Sequence, residues 1–475
     1  MYKESTLYNK LLSEHSKEEV DEIFETELQK RKITDYNDFI QNYKRDYDKK
    51  SIVKYVDLVS YFQLDIQDIF SNYLLNKYIL NQQYLDLICN FHCIQNAIEE
   101  LCKGVNNLND KQLLYISSHI NLVELGLKYN AHITDEGLKN CIHLQKLNAN
   151  NSKITTCETF KNSLIVLDAS HNCNIDNEGI KNCLKLQKLN VDGNLNITTC
   201  EPFKNMLIEL SASHYCGIGD EGIKNCIHLQ KLRINNNFKI KTCNPFSNNL
   251  IELRIACSFL SFVDAKRYNY ISTIDDAGIK NCHKLQILDA YNNCKITTCE
   301  PFSKTLIELN ACGKCKIDDK GLQNCNNLQK LNAFNNDKIT TCDAFKDTLI
   351  ELNASGNCRI DDYGLKKCHN IQILDASYNK KITTCDPFKN TLIELTARDI
   401  CGIDDKGLQN CYKLQILEAV DNKYITTCEP FKDTLIELNA SKNCGIDDKG
   451  IINCKKLKNL YSEGNSKITI KIENF

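Results

Sequence analysis

The sequence predicts an α/β fold: a solenoid of short parallel strands joined by short helical or 3₁₀ turns, preceded by an all-helical segment over residues 1–105. Two observations carry that expectation. The phrase IDDKGLQNC stands at Ile317 to Cys325 and again at Ile403 to Cys411, and returns as IDDKGIINC at Ile446 to Cys454. A second phrase, ITTCEPF and its variants, alternates with it. A fixed period of roughly 20 to 50 residues marks a stacked array.

The period is legible in the cysteines. Those ending the nine-residue phrase fall at Cys141, Cys183, Cys226, Cys282, Cys325, Cys368, Cys411 and Cys454, in steps of 42, 43, 56, 43, 43, 43 and 43. The long step is one period plus a 13-residue insertion near Ser258 to Tyr270. A second series at Cys157, Cys200, Cys243, Cys299, Cys342, Cys385 and Cys428 keeps the same rhythm, so two kinds of turn alternate.

Each turn opens on Leu-x-x-Leu-x-Ala-x-x-Asn-x-x-Ile, as in LQILDAYNNCKI from Leu285, and sixteen such turns begin between residues 122 and 457. Apolar residues at places 1, 4 and 6 follow a short strand's alternation and then turn a corner. Place 9 is usually asparagine, at Asn130, Asn172, Asn194, Asn237, Asn293, Asn336, Asn357, Asn379, Asn422, Asn443 and Asn465. An inward amide both donates and accepts, so it serves backbone groups where strand pairing has stopped.

This pattern resembles the leucine-rich repeat family, and half-units such as ITDEGLKNC are similar to its cysteine-containing subclass, as found in F-box proteins. The resemblance covers residues 106–475 and departs from the family in placing alanine, for example Ala169, Ala290, Ala311 and Ala354, where a third leucine usually stands. It implies a solenoid with a parallel sheet on its concave face and short helical or 3₁₀ turns on its convex face. Repetition is required because no turn buries its apolar face alone. Asp319, Asp405 and Asp448 are expected to cap the outer helices, and Pro202, Pro245, Pro301, Pro387 and Pro430 to open the alternate turns.

Composition narrows the function. With 475 residues, 42% of them apolar, and a net charge of -2, the chain builds a large core and no basic field, so capture of nucleic acid or anionic membrane is not expected. The first residues lack a signal-peptide apolar region, which predicts an intracellular protein, cytoplasmic or nuclear. Its 27 cysteines are then expected as free, buried thiols. Same-place cysteines two turns apart stand roughly 9–10 Å apart, beyond disulfide reach. The isolated CGKC at Cys312 to Cys315 and CNFHC at Cys89 to Cys93 lack the partners of a zinc site. No phosphate loop, metalloprotease or nucleophile-elbow motif occurs, and His132, His143 and His228 follow no common place. Neither an enzyme nor a cofactor is expected.

Binding is expected on the concave face, where places 3, 5, 7 and 8 point outward. Place 3 alternates in charge, with Glu209, Glu252, Glu308, Glu351, Glu394 and Glu437 against Lys188, Lys231 and Lys330 or Ile287, Ile373 and Ile416. Tyr291, Phe334, Tyr378, Arg398 and Val420 form a candidate contact ridge, because aromatic and arginine side chains anchor buried interfaces. The insertion adds Phe259, Phe262 and Tyr268. Residues 1–105 read as a helical cap or an adaptor-binding region, and Val56 to Leu75 resembles the late helical part of a BTB domain. The expected function is a protein-interaction scaffold. The alternative is the substrate-recognition subunit of a cullin-type ubiquitin ligase, with a ligase adaptor at the N-terminal region.

Overall fold

The computed structural model describes residues 108–119, 121–257 and 274–470, and the chain divides into two units, residues 1–197 and 198–475. The helices expected within 1–105, the BTB-like stretch, the CNFHC cluster and the insertion with Phe259, Phe262 and Tyr268 lie outside the described residues.

In the first unit, helix α1 (Asp110–His119) precedes strands β1 (Glu124–Gly126), β2 (Lys146–Asn148), β3 (Val166–Asp168) and β4 (Lys188–Asn190), paired in parallel in chain order. Asn109 and Gln112 cap α1 reciprocally, each accepting the other's backbone N–H at 3.1 Å.

The second unit holds twelve further strands. They are β5 (Glu209–Ser211), β6 (Lys231–Arg233), β7 (Glu252–Arg254), β8 (Ile287–Asp289), β9 (Glu308–Asn310) and β10 (Lys330–Asn332). There follow β11 (Glu351–Asn353), β12 (Ile373–Asp375), β13 (Glu394–Thr396), β14 (Ile416–Glu418), β15 (Glu437–Asn439) and β16 (Asn459–Tyr461). Within this unit they pair in parallel in chain order, leucine opposite leucine, as Leu331 stands opposite Leu352. Between strands run short helices such as Asp319–Leu322 and 3₁₀ turns such as Glu300–Phe302, in alternation.

Every turn sends the same side chains inward. In the turn from Leu306, Leu306, Leu309, Ala311 and Ile317 are all 0–1% exposed. Phe160, Phe203, Phe246, Phe302, Phe345, Phe388 and Phe431, each closing a 3₁₀ turn that follows an ITTC-type phrase, are the largest fully buried side chains.

Place 8 turns the corner after the strand. Among the described residues the positive-φ positions are eleven non-glycine residues, among them Asn236, Asn292, Asn335, Tyr378 and Asp421, and four glycines, all at this place. Asparagine, aspartate and glycine recur there because they tolerate the left-handed region best.

From Asn194 onward the asparagine ladder occupies every second turn; before it, Asn130 is a rung of the first turn and Ser152 takes the place in the second. Asn336 Nδ2 donates to the Ala311 carbonyl of the preceding turn at 2.6 Å, while its Oδ1 accepts from Lys338 and Ile339 N–H at 2.7 and 3.1 Å. Asn194, Asn237, Asn379, Asn422 and Asn465 reach the equivalent alanine carbonyl, and Asn293 bonds Ile274 O at 3.3 Å. Asn172, Asn357 and Asn443 also stand at place 9 but are exposed. In their turns Cys173, Cys358 and Cys444 at place 10 fill the interior instead. The equivalent Cys216 Sγ accepts the Ile218 N–H at 3.2 Å.

The helix caps fall one residue earlier than the sequence suggests. Asp318, Asp404 and Asp447 are the extended residues whose carboxylates accept from Gly321, Gly407 and Gly450 N–H at 2.8, 2.9 and 2.9 Å. A cap must lie outside the helical φ, ψ region to aim its side chain back at the first turn, and Asp319, Asp405 and Asp448 are already helical. In the 3₁₀ turns the residue before proline is the first helical residue, the cysteine at the cap position makes no side-chain bond, and the threonine before it bonds the first turn instead, as Thr298 Oγ1 accepts Glu300 N–H at 3.1 Å. These parallel ladders with a buried asparagine rung are the leucine-rich-repeat architecture.

Candidate functional site

In strands such as Glu308–Asn310 and Glu351–Asn353 the central leucine is buried and both flanking residues are partly exposed. Strand alternation therefore puts places 3 and 5 on one open face in two rows, with place 7 along its edge. In the second unit the rows enclose a groove of about 310 Å³ between β7 and β13. Asp289, Glu308, Glu351, Asp375 and Glu394 line it against only Arg254 and Lys330, with Asn310, Asn332 and Asn353 between them.

Both cations are already engaged. Arg254 Nε lies 2.6 Å from Glu252, which Arg233 approaches at 3.5 Å from the other side, and Lys330 Nζ lies 2.8 Å from Glu351. Among the described residues, Glu308, Asp375 and Glu394 have no cation at ion-pair distance. Burial disfavours charge on Glu252, yet the guanidiniums of Arg254 and Arg233 hold its carboxyl below the usual range. Asp289 goes the other way: burial pushes its carboxyl up, against a 3.2 Å hydrogen bond from Tyr291 N–H and the charge of Arg254.

The ridge expected from sequence runs along the edge of this face. Tyr291 is half-buried beside Asp289, and Phe334 is 38% exposed, its ring over Gly356 of the next turn. Tyr378 is 52% exposed with φ 61°, so it stands on the corner at place 8, where the Asp399 carboxylate pushes its phenol's pKa up. Arg398 pairs with Glu418 at 2.7 Å, and Val420 is half-buried. Tyr378, Arg398 and Asp399 cluster through the Tyr378 N–H to Arg398 carbonyl bond at 3.2 Å. The place 5 row, from Arg254 through Asp289 to Asp375, was not singled out from sequence as part of the site. The signal was available, because places 3 and 5 share a face by strict alternation.

No group of three or more potential metal ligands occurs among the described residues, and no described helix is long and apolar enough to cross a membrane.

No family model matches the chain, and no curated protein matches it. Solved structures do. An internalin from Listeria monocytogenes is 18% identical with a TM-score of 0.39, over 79% of this chain and 88% of that one. The functional domain of InlJ from the same organism, which includes a cysteine ladder, is 15% identical with a TM-score of 0.42, over 70% and 76%. The Rad7 and Elc1 complex of yeast gives 17% identity and a TM-score of 0.37, over 82% and 98%. The assignment to the leucine-rich-repeat fold rests on this chain's own strand register and repeating core.

Proposed function

We propose that the chain is a non-enzymatic protein-interaction scaffold whose partner docks on the open sheet face of β7 to β13. The observation that carries this reading is the groove, whose carboxylates outnumber its cations, with Glu308, Asp375 and Glu394 at no ion-pair contact among the described residues. Such a face favours a partner that presents lysine or arginine, with the Phe334 and Tyr378 edge supplying apolar and cation–π contact. A capture experiment with full-length protein, the Asp375→Lys/Glu394→Lys variant and the Tyr291→Ser/Phe334→Ser/Tyr378→Ser variant tests it. Partner loss in both variants, with unchanged circular dichroism, is expected, and binding in the parent should weaken as salt rises. Capture that survives both substitutions rejects this face as the docking surface.

A second reading, the substrate-recognition subunit of a cullin-type ubiquitin ligase, rests on the BTB-like Val56 to Leu75 and on residues 1–105 as the adaptor-binding region. Co-purification of a cullin or adaptor that disappears when residues 1–105 are removed supports it. Its absence from the full-length protein's partners leaves those residues as a cap of the solenoid.

A further inference from the structure

Beyond the corner that follows each strand, place 11 comes just before the buried isoleucine of place 12. In five consecutive turns of the second unit it holds a cation: Lys295, Lys316, Lys338, Arg359 and Lys381. Lys314 at place 9 and Lys380 at place 10 widen the row, and all seven side chains are exposed. The turns are in direct backbone contact here, because Arg359 N–H donates to the Asn336 carbonyl and Asp362 N–H to the Lys381 carbonyl, both at 3.3 Å. At a strand spacing of roughly 4.8 Å the row is about 20 Å long.

Elsewhere the array compensates its lysines. Lys204 pairs with Glu201 and Lys432 with Glu429 inside their own turns, and Lys231 and Lys330 reach Glu209 and Glu351 across strands at 3.5 and 2.8 Å. At place 11 outside the row, Lys239 and Lys467 fold back onto the carbonyls of Gly217 and Cys444 at 3.4 and 3.2 Å. Inside the row Lys338 lies 3.3 Å from Asp337, but among the described residues Lys295, Lys316, Arg359, Lys380 and Lys381 have no carboxylate at ion-pair distance. Like charges on successive turns repel one another, and a bound anion relieves that repulsion.

We propose that this row is a second docking surface, separate from the groove, for an extended acidic segment of a protein partner. An extended chain sets every second side chain on one side at roughly 6.7 Å, so about four carboxylates span the row. The long lysine and arginine stems absorb the mismatch with the turn spacing, and Arg359 can hold a carboxylate by two parallel bonds. Width selects the ligand. Toward the short helices the row is bordered by Asp318, Asp319, Asp361 and Asp362, whose carboxylates accept from the N–H groups of Gly321, Thr340, Gly364 and Thr383 at 2.8, 2.8, 2.9 and 2.8 Å. A nucleic-acid duplex or an anionic membrane would bring its charge over these aspartates, whereas a single extended peptide stays on the cations. Single-stranded nucleic acid is narrow enough, but its bases stack on aromatic side chains, and places 9 to 11 of these five turns carry none.

The test is fluorescence anisotropy at low salt with full-length protein and a labelled peptide of alternating glutamate and serine, about twelve residues long. The peptide should bind, and more weakly as salt rises. Lys316→Glu/Arg359→Glu/Lys381→Glu should weaken binding about tenfold or more. Lys185→Glu/Lys413→Glu/Lys456→Glu, which changes net charge equally outside the row, should weaken it less than about twofold. All six substituted side chains are exposed, so both variants should keep the parent's circular dichroism spectrum. Failure of the parent to bind, equal loss in the two variants, or tighter binding of an oligothymidylate of the same length overturns the proposal.

Discussion

The carboxylate of Asp319 bridges to Thr340 in the following turn, accepting its backbone N–H at 2.8 Å and its hydroxyl at 2.6 Å. The same bridge joins Asp276 to Thr297, Asp362 to Thr383, Asp405 to Thr426 and Asp448 to Thr469. One aspartate thus ties turns together while its neighbour, Asp318, caps the helix. Asp319→Ala should cost about 2–3 kcal/mol, because the charge-assisted bonds from the Thr340 N–H, the Thr340 hydroxyl and the Thr341 N–H are lost. Asp318→Ala should cost about 1 kcal/mol. Urea denaturation of the two variants checks the order, and a larger loss for Asp318→Ala contradicts it.

Substituting a ladder asparagine should be more damaging than substituting its sequence counterpart. Asn336→Leu strands the Ala311 carbonyl and the N–H groups of Lys338 and Ile339, at about 1–3 kcal/mol for each buried group. Asn357 occupies the same place in the next turn but is exposed, so Asn357→Ala should stay within about 0.5 kcal/mol of the parent. Thermal unfolding of both proteins measures the contrast.

Two turns, Glu158–Phe160 and Asp343–Phe345, lack the proline that their five equivalents carry. Asp343–Phe345 reads DAF where Asp386–Phe388 reads DPF, and the flanking Cys342 and Lys346 have nearly the dihedrals of Cys385 and Lys389. Ala344→Pro should therefore raise stability by about 0.4–1 kcal/mol by restricting the unfolded chain. A lower urea midpoint would show that the two turns differ at that φ.

Stability should fall in alkali even under reducing conditions. Burial pushes the thiols of Cys173 and Cys358 up to about 11 and those of Cys315 and Cys401 up to about 12. In the unfolded chain a thiol ionises near pH ~8.5. Below that pH their contribution is complete. As pH rises from there through the folded values, the unfolded chain sheds protons that the folded chain keeps, and stability is lost. Urea midpoints with a reductant present should hold between pH 7 and 8 and decline by pH 10. A flat profile would mean that these thiols are not enclosed.

Much of the fold was legible because burial writes itself into a period. Leu309, Ala311 and Ile317 recur at fixed places since each turn must offer its neighbour the same apolar shape. Polar detail was harder. Asn336 and Asn357 share place 9, and a cysteine at place 10 does not decide which asparagine turns inward, because Cys294 follows the buried Asn293. Adjacent aspartates concealed which one caps, because that depends on a dihedral and not on residue type. The groove's place 5 row reads in sequence as ordinary surface polarity, and its carboxylate excess emerges only when seven strands are laid side by side.

Asn336 takes its carbonyl partner from the turn before it, which carries a cysteine in the corresponding interior position, and Cys315 has no amide to offer in return. The grammar of the array is therefore a couplet. Deleting one turn would set two asparagine turns, or two thiol turns, against each other and leave mismatched rungs at the splice. Deleting 43 residues, the spacing from Cys325 to Cys368, would rejoin unlike turns in the correct sense. Copy number in this chain should consequently change by twos, and shortened or lengthened versions cut to that measure are the ones expected to fold.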